Sequence, residues 1–143
     1  MRRDLQKLLD LAFDNRSWHG ANLKSAIRGV RAQQARRSIR GRKTIWEQVL
    51  HAAYWKSVVI AKISGERAWE RKGSNWVKMP RLGNEKQWKE DVEMLRSLQR
   101  RLIEVVKKRG GKLKPKEVWL IQGAAFHDVY HAGQIKLLRR MMR

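Results

Sequence analysis

Leu120, Ala124, His127, His131, Ile135 and Leu138 recur at steps of three and four. That spacing is the core-facing stripe of an amphipathic helix. It also places two histidines, four residues apart, on the buried side of that helix. Their Cβ atoms then lie roughly 5–6 Å from each other. Two imidazoles sharing an apolar stripe are costly unless they are hydrogen-bonded or bound to a metal. A third histidine, His51, falls on another helical stretch. Three neutral imidazoles converging between helices make a divalent-metal site with open coordination positions. An HxxxH pair is equally at home as an ordinary core pair. Three of the 4 histidines on inward-facing positions weigh toward metal.

The sequence has no cysteine. Disulfides and thiolate ligation are therefore excluded, and a transition-metal site has only His, Asp, Glu and water to draw on. The start, Met1-Arg2-Arg3-Asp4-Leu5-Gln6-Lys7, is interrupted by charge before an apolar run forms. No signal peptide is expected. No uncharged apolar run approaches the ~20 residues that span a bilayer. A cytoplasmic protein without membrane insertion is the expectation. The length of 143 residues suits one domain, 1–143, with a sizeable core.

Lys and Arg number 34 against 13 Asp and Glu, a net charge of +21. Such a charge attracts nucleic acid and other polyanions without sequence preference. A nucleic-acid footprint is usually a patch or stripe. Here the basic residues are spread over every segment, at positions the helical pattern gives to solvent. A uniform charge of this size is also what a surface redesigned for supercharging looks like. The densest run is Arg31, Arg36, Arg37, Arg40, Arg42 and Lys43, in a polar connection. It reads as a solvated loop or a phosphate-binding cluster. No aromatics interleave it, so base stacking is not suggested.

Along the chain, Leu5, Leu8, Leu9, Ala12 and Phe13 mark a first helix over residues 3–13. Asp14-Asn15-Arg16-Ser17 interrupts it. Ser17 is the expected N-cap of a second piece carrying Leu23, Ala26, Ile27 and Val30, so that the two form one kinked helix. His19 sits at the break, as a pocket or catalytic candidate or as a packing residue. Thr44 and Glu47 form a capping box for a helix over 45–63. Glu47 precedes His51 by one turn and is a candidate to orient that imidazole. Residues 65–84 form a long irregular connection, with Trp69, Trp76 and Met79 as pins to the surface or as a lid over the pocket. Trp88, Val92, Leu95, Leu98, Leu102, Val105 and Val106 line a helix over 85–108, which Gly110-Gly111 ends. Pro115 opens the last helix, about 116–142.

The expected fold is all-α: a four-helix bundle, up-down-down-up, with the long helix 2–helix 3 connection as the crossover. His51 is then about seven residues, roughly 10 Å, into its helix and level with His127 and His131. Tyr130 and Gln134 join His19 and Glu47 as pocket candidates, with Tyr130 and His19 the catalytic candidates among them. Asp128 points about 100° away from its neighbour and is not counted as a ligand.

Trp18-His19-Gly20, Ile45-Trp46-Glu47-Gln48-Val49-Leu50-His51-Ala52-Ala53-Tyr54-Trp55 and His127-Asp128-Val129-Tyr130-His131-Ala132-Gly133-Gln134-Ile135 together resemble the DinB-like (DinB/YfiT-like) superfamily of metalloenzymes. The resemblance runs from Leu5 to Leu138. It implies the four-helix bundle, often as a homodimer. It also implies a zinc or nickel ion held by three histidines, matching His51, His127 and His131. Some branches are metal-dependent transferases or isomerases that use low-molecular-weight thiols, and others are hydrolases. The charge departs from the family, whose members are typically neutral or acidic. Repulsion between like-charged copies would oppose a dimer at low salt.

Overall fold

A computed structural model describes residues 2–143, with side chains from residue 3. Met1, which opens the charged N-terminal stretch, lies outside them. Six α-helices follow in order: α1 Arg2–Phe13, α2 Leu23–Ile27, α3 Ala32–Ala35, α4 Ile45–Ser64, α5 Glu85–Arg109 and α6 Pro115–Met141. A single 3₁₀ turn, Gly110–Lys112, joins the last two. The described residues contain no β-strand, so the all-α expectation holds. α4 packs on α5 and α6, and α1 closes over α5 and α6. No helix among them is long and apolar enough to cross a membrane.

Four of these helices are the long ones the periodicity predicts, α2 is the expected second piece as a separate short helix, and α3 is an addition. The stretch after α1 does not continue it as one kinked helix. Gly20 turns the chain at φ +99°, and the new helix starts at Asn22 rather than Ser17. Asn22 Oδ1 accepts from Ser25 N at 2.9 Å, while Ser25 Oγ accepts from Asn22 N at 3.0 Å. Asn22 also donates to the Asn15 carbonyl at 2.7 Å, which ties the cap back to the end of α1. Ser17 has no such reciprocal partner, so the cap moves.

The polar connection 31–43 contains the short α3. Its Ala32 and Ala35 are buried, and Glu85 at the start of α5 accepts from Ala32 N at 2.9 Å. The basic side chains Arg31, Arg36, Arg37, Arg40, Arg42 and Lys43 are exposed, as a solvated surface requires.

α4 begins as expected. Thr44 Oγ1 accepts from Glu47 N at 3.1 Å, and Glu47 Oε2 accepts from Thr44 N at 2.8 Å. It ends where Gly65 takes the left-handed conformation, φ +76°. Ile45, Trp46, Val49, Leu50, Ala53 and Ile60 are buried along it. The Trp46 indole N–H donates to buried Asp91 at 2.7 Å, and Trp88 donates to the Val30 carbonyl at 2.7 Å. Each large aromatic therefore brings its polar edge to a partner inside the core.

A charged pair also lies in the core. Lys56 of α4 and Asp128 of α6 are each 1 % exposed, with Nζ and Oδ2 2.5 Å apart. Lys56 also donates to Gln99 Oε1 of α5 at 2.7 Å, and Gln99 Nε2 donates to the Leu9 carbonyl of α1 at 3.2 Å. The Phe13 ring lies 5.2 Å from the ammonium. The network thus spans α1, α4, α5 and α6. Burial pushes the Asp128 carboxyl above its usual range, while the Lys56 ammonium pulls it back. Removing one member of a buried pair strands the other charge, at a cost of about 3–5 kcal/mol. Lys56→Met should lose that much stability in urea unfolding of the metal-free protein. Lys56→Met with Asp128→Leu should recover at least half of the loss, whereas simple additivity would show that the pair is not the source.

Candidate metal centre

His51 comes from α4, and His127 and His131 come from successive turns of α6. Their Nε2 atoms face one another. His127 Nε2 is 3.1 Å from His51 Nε2 and 3.1 Å from His131 Nε2. All three candidate ligand atoms lie within 4.8 Å of one another. Nitrogens bound at about 2.0–2.1 Å and subtending about 90–109° at a common ion would lie about 2.9–3.4 Å apart. The two 3.1 Å contacts fall inside that range, while the His51–His131 pair, bounded by the 4.8 Å span of the cluster, would close by a small ring movement onto an ion.

The second nitrogens fix the tautomers. His51 Nδ1 lies 3.0 Å from the Asn75 carbonyl, which can only accept. Nδ1 therefore carries the proton and Nε2 is a bare lone pair. His131 Nδ1 lies 2.9 Å from Gln48 Oε1. The orientation of that amide is set by its other end, because Gln48 Nε2 donates to the Lys43 carbonyl at 3.3 Å. His131 Nε2 is then also a bare lone pair. His127 Nε2 faces both. One proton on it serves only one neighbour well and leaves the other contact between acceptors. A divalent cation could accept from all three.

Burial also removes the extra proton that could serve as glue. Desolvation and the neighbouring imidazoles lower His131 to about 3, and desolvation first, then His51 and Lys56, lower His127 to about 4. His51 is lowered as well, mainly by burial. The rings are neutral at pH 7, which is the state that binds metal.

The long connection 65–84 supplies part of the site. Asn75 sits in the left-handed region at φ 58°, a conformation Asn tolerates better than most residues. Its carbonyl thereby reaches His51, and its side-chain oxygen accepts from the Trp55 indole N–H at 3.0 Å. Trp76 lies flat on the His51 ring, with centroids 3.7 Å apart and planes at 3°. Trp69 meets Tyr54 edge to face, and Met79 Sδ accepts from the Thr44 hydroxyl at 3.2 Å. These residues pin the loop, while Trp76 walls the pocket.

A cavity of about 330 Å³ opens beside the three Nε2 atoms, with Arg42, Lys43, Trp76, Tyr130, Gln134 and Leu137 on its walls. Tyr130 and Gln134 are therefore placed as expected. Tyr130 Oη accepts from Gln134 Nε2 at 2.9 Å. His19 is not in the lining. It lies exposed on the turn after α1, its Nε2 3.2 Å from Ser17 Oγ. Glu47 does not touch His51; its carboxylate is held by the capping box and by Lys43 at 3.8 Å. Asp128 points away from the cavity to Lys56, in agreement with its angle on the helix. Gln48, Asn75 and Lys56 support the site without a motif that marks them in the sequence. Gln48 lies one turn before His51, and Lys56 falls between Ala53 and Ile60 on the inward stripe. Both are polar residues on a buried face.

Comparison with known proteins identifies no relative: no protein-family model, curated protein or solved structure matches the chain.

The depressed imidazole values give stability a sign with pH. In metal-free protein the unfolded chain takes up protons near the ordinary value of about 6.5, while the folded chain does so only near 4 at His127 and 3 at His131. Between those limits the unfolded state holds more protons, so stability falls as pH falls. Urea unfolding from pH 7 to pH 4 should show this loss, and His131→Phe should flatten it. An unchanged slope in that variant would contradict the assignment.

Proposed function

We propose that this chain is a divalent-metal-dependent enzyme, with His51, His127 and His131 as ligands and zinc or nickel as the metal. The observation that carries the reading is the meeting of three Nε2 atoms, two of them bare acceptors by tautomer, at the wall of an open pocket. Imidazole ligands suit both metals. When bound, the ion supplies a Lewis acid able to activate water or a thiol near neutral pH.

The protein's own groups do the rest. Gln48 and the Asn75 carbonyl hold two ligand rings in the binding tautomer. Trp76 and Leu137 offer an apolar wall to the body of a substrate. Tyr130, whose oxygen is occupied by the Gln134 amide, has its O–H free to donate into the pocket. Arg42 and Lys43 at the rim favour a substrate that carries negative charge. The resemblance to the DinB-like superfamily adds the reaction class, transfer to or from a low-molecular-weight thiol, with hydrolysis as the other branch. It also supplies the up-down-down-up arrangement of α1, α4, α5 and α6, with 65–84 as the crossover, and the homodimer; the cytoplasmic setting rests on the charged start of the sequence and its lack of a long apolar run.

A second reading rests on the charge of +21. As a cationic scaffold or polyanion-binding protein, natural or engineered, the chain would act through its surface. Affinity for nucleic acid that falls steeply with salt follows from the charge alone, so only a sequence or structure preference at physiological salt would favour this reading.

The enzyme reading is tested by turnover. Zinc- or nickel-loaded protein should consume a small thiol with an electrophilic acceptor, or hydrolyse an ester or amide panel. Chelation should abolish that activity, and Tyr130→Phe should lower kcat by about 10²–10⁴-fold if its hydroxyl moves a proton. Loaded protein inert across both panels would leave a metal-binding scaffold.

A further inference from the structure

The exposed side of α6 differs from the rest of this cationic surface. From Val118 to Ile135 the sequence has no Lys, Arg or Glu, and its one acid, Asp128, is buried. The outward residues there are Trp119, Gly123, Phe126, Tyr130 and Gly133, and Leu137 continues the row. They alternate steps of four and three, which is the seam of a helix that packs on another helix. Trp119 is 68 % exposed, Phe126 63 %, Tyr130 61 % and Leu137 54 %. Water is an unfavourable neighbour for so contiguous an apolar row.

The two glycines have no internal reason. A Cβ added at Gly123 or Gly133 would meet nothing within 4 Å. Glycine in a helix interior weakens the helix. Glycine on a helix face lets a second helix backbone come close, which would account for its use here.

The row also reads the same from both ends. Trp119 and Leu137 lie nine residues to either side of Asp128, Gly123 and Gly133 five, and Phe126 and Tyr130 two. A two-fold axis level with Asp128 would set an antiparallel copy so that Trp119 meets the partner's Leu137, Gly123 the partner's Gly133, and Phe126 the partner's Tyr130. Large residues then face smaller or flat ones, and glycine faces glycine where the helices cross most closely. This is the self-complementary pattern of an isologous interface.

We propose that a second copy of this chain docks antiparallel on the exposed seam of α6. Charge selects that occupant and that place. Two copies at +21 repel across most of their surfaces, and the charge-free row is where they can meet. Aromatic side chains bury about 150–250 Å² each, so the seam at its present exposure can contribute roughly 400–600 Å² per copy. A standard interface needs about 800 Å² per partner, and the flanks at Gln122, Val129 and Gln134 are placed to add the remainder. The resemblance implied a homodimer but neither this face nor its consequence for the pocket. Tyr130 and Leu137 line the candidate metal cavity, so the partner's Phe126 and Trp119 would wall its mouth. That consequence rests on the metal-centre reading; the docking does not.

Sedimentation velocity of metal-free and metal-loaded protein at rising salt should show a monomer–dimer equilibrium that shifts to dimer as repulsion is screened. Phe126→Lys, at an exposed position, should weaken dimerisation at least tenfold with an unchanged far-UV spectrum. The chain has no cysteine, so register can be read by cross-linking. Gly123→Cys mixed with Gly133→Cys should give a disulfide-linked dimer, while either alone should not, because ten residues of helix, about 15 Å, would separate its sulfurs. A monomer at every salt concentration, with or without binding to lipid vesicles, would overturn the proposal. So would a dimer that survives Phe126→Lys, or Gly123→Cys linking to itself as readily as to its mate. Since the readout is made without metal, its failure and that of the metal centre are told apart.

Discussion

Three imidazole nitrogens, with that of His127 at hydrogen-bonding distance of the other two, pose a problem that protons do not solve. His51 and His131 have each spent their N–H on a fixed acceptor, the Asn75 carbonyl and the Gln48 amide oxygen. Their Nε2 atoms are left as acceptors, both aimed at His127. An extra proton would relieve the contact, but burial makes a charged ring expensive there. The arrangement is frustrated as a hydrogen-bond network and well satisfied as a ligand set. The architecture around it is consistent with that assignment, because each supporting group fixes a ring rather than merely filling space.

The supports come from separate parts of the chain. Gln48 is on the same helix as His51 and reaches across to α6. Asn75 and Trp76 come from the irregular connection, which lies against the site as well as bridging α4 to α5. Behind His127 and His131, Asp128 turns the other way and joins Lys56 and Gln99 in the core. That buried pair adds directional contacts between α4 and α6, the two helices that carry the ligands. Buried charge is weak evidence for stability, but it is strict about register. A helix rotated or shifted by one residue would strand both charges and separate the histidines. The face of α6 that carries Asp128 and the face that carries the two histidines are thus set by the same packing.

How much of this was legible from sequence differs by element. The long helices were readable because apolar residues repeat at three and four, and the Thr44–Glu47 box marks the start of α4. The three histidines were readable for the same reason, as polar residues on inward stripes. The turn after α1 departs from the periodicity. Ser17 and Asn22 are both competent caps, and the choice depended on Gly20 and on Asn15 folding back to meet Asn22, neither of which periodicity describes. His19 followed that turn into solvent, and Glu47 kept its capping role instead of reaching His51. The contribution of Asn75 was out of reach, since it lies in the direction of a carbonyl on a left-handed residue. Lys56 was within reach, because a lysine between Ala53 and Ile60 on a buried stripe needs a buried acid, and Asp128 is the acid between the two α6 histidines.

The central claim is that the three histidines form one metal site. Elemental analysis of protein purified without a metal-affinity column, beside a His127→Ala variant, measures it most directly. About one zinc or nickel per chain, lost in the variant, is the predicted result. No metal in either protein after incubation with both ions would contradict the account and leave the three imidazoles as a buried polar cluster in a cationic helical scaffold.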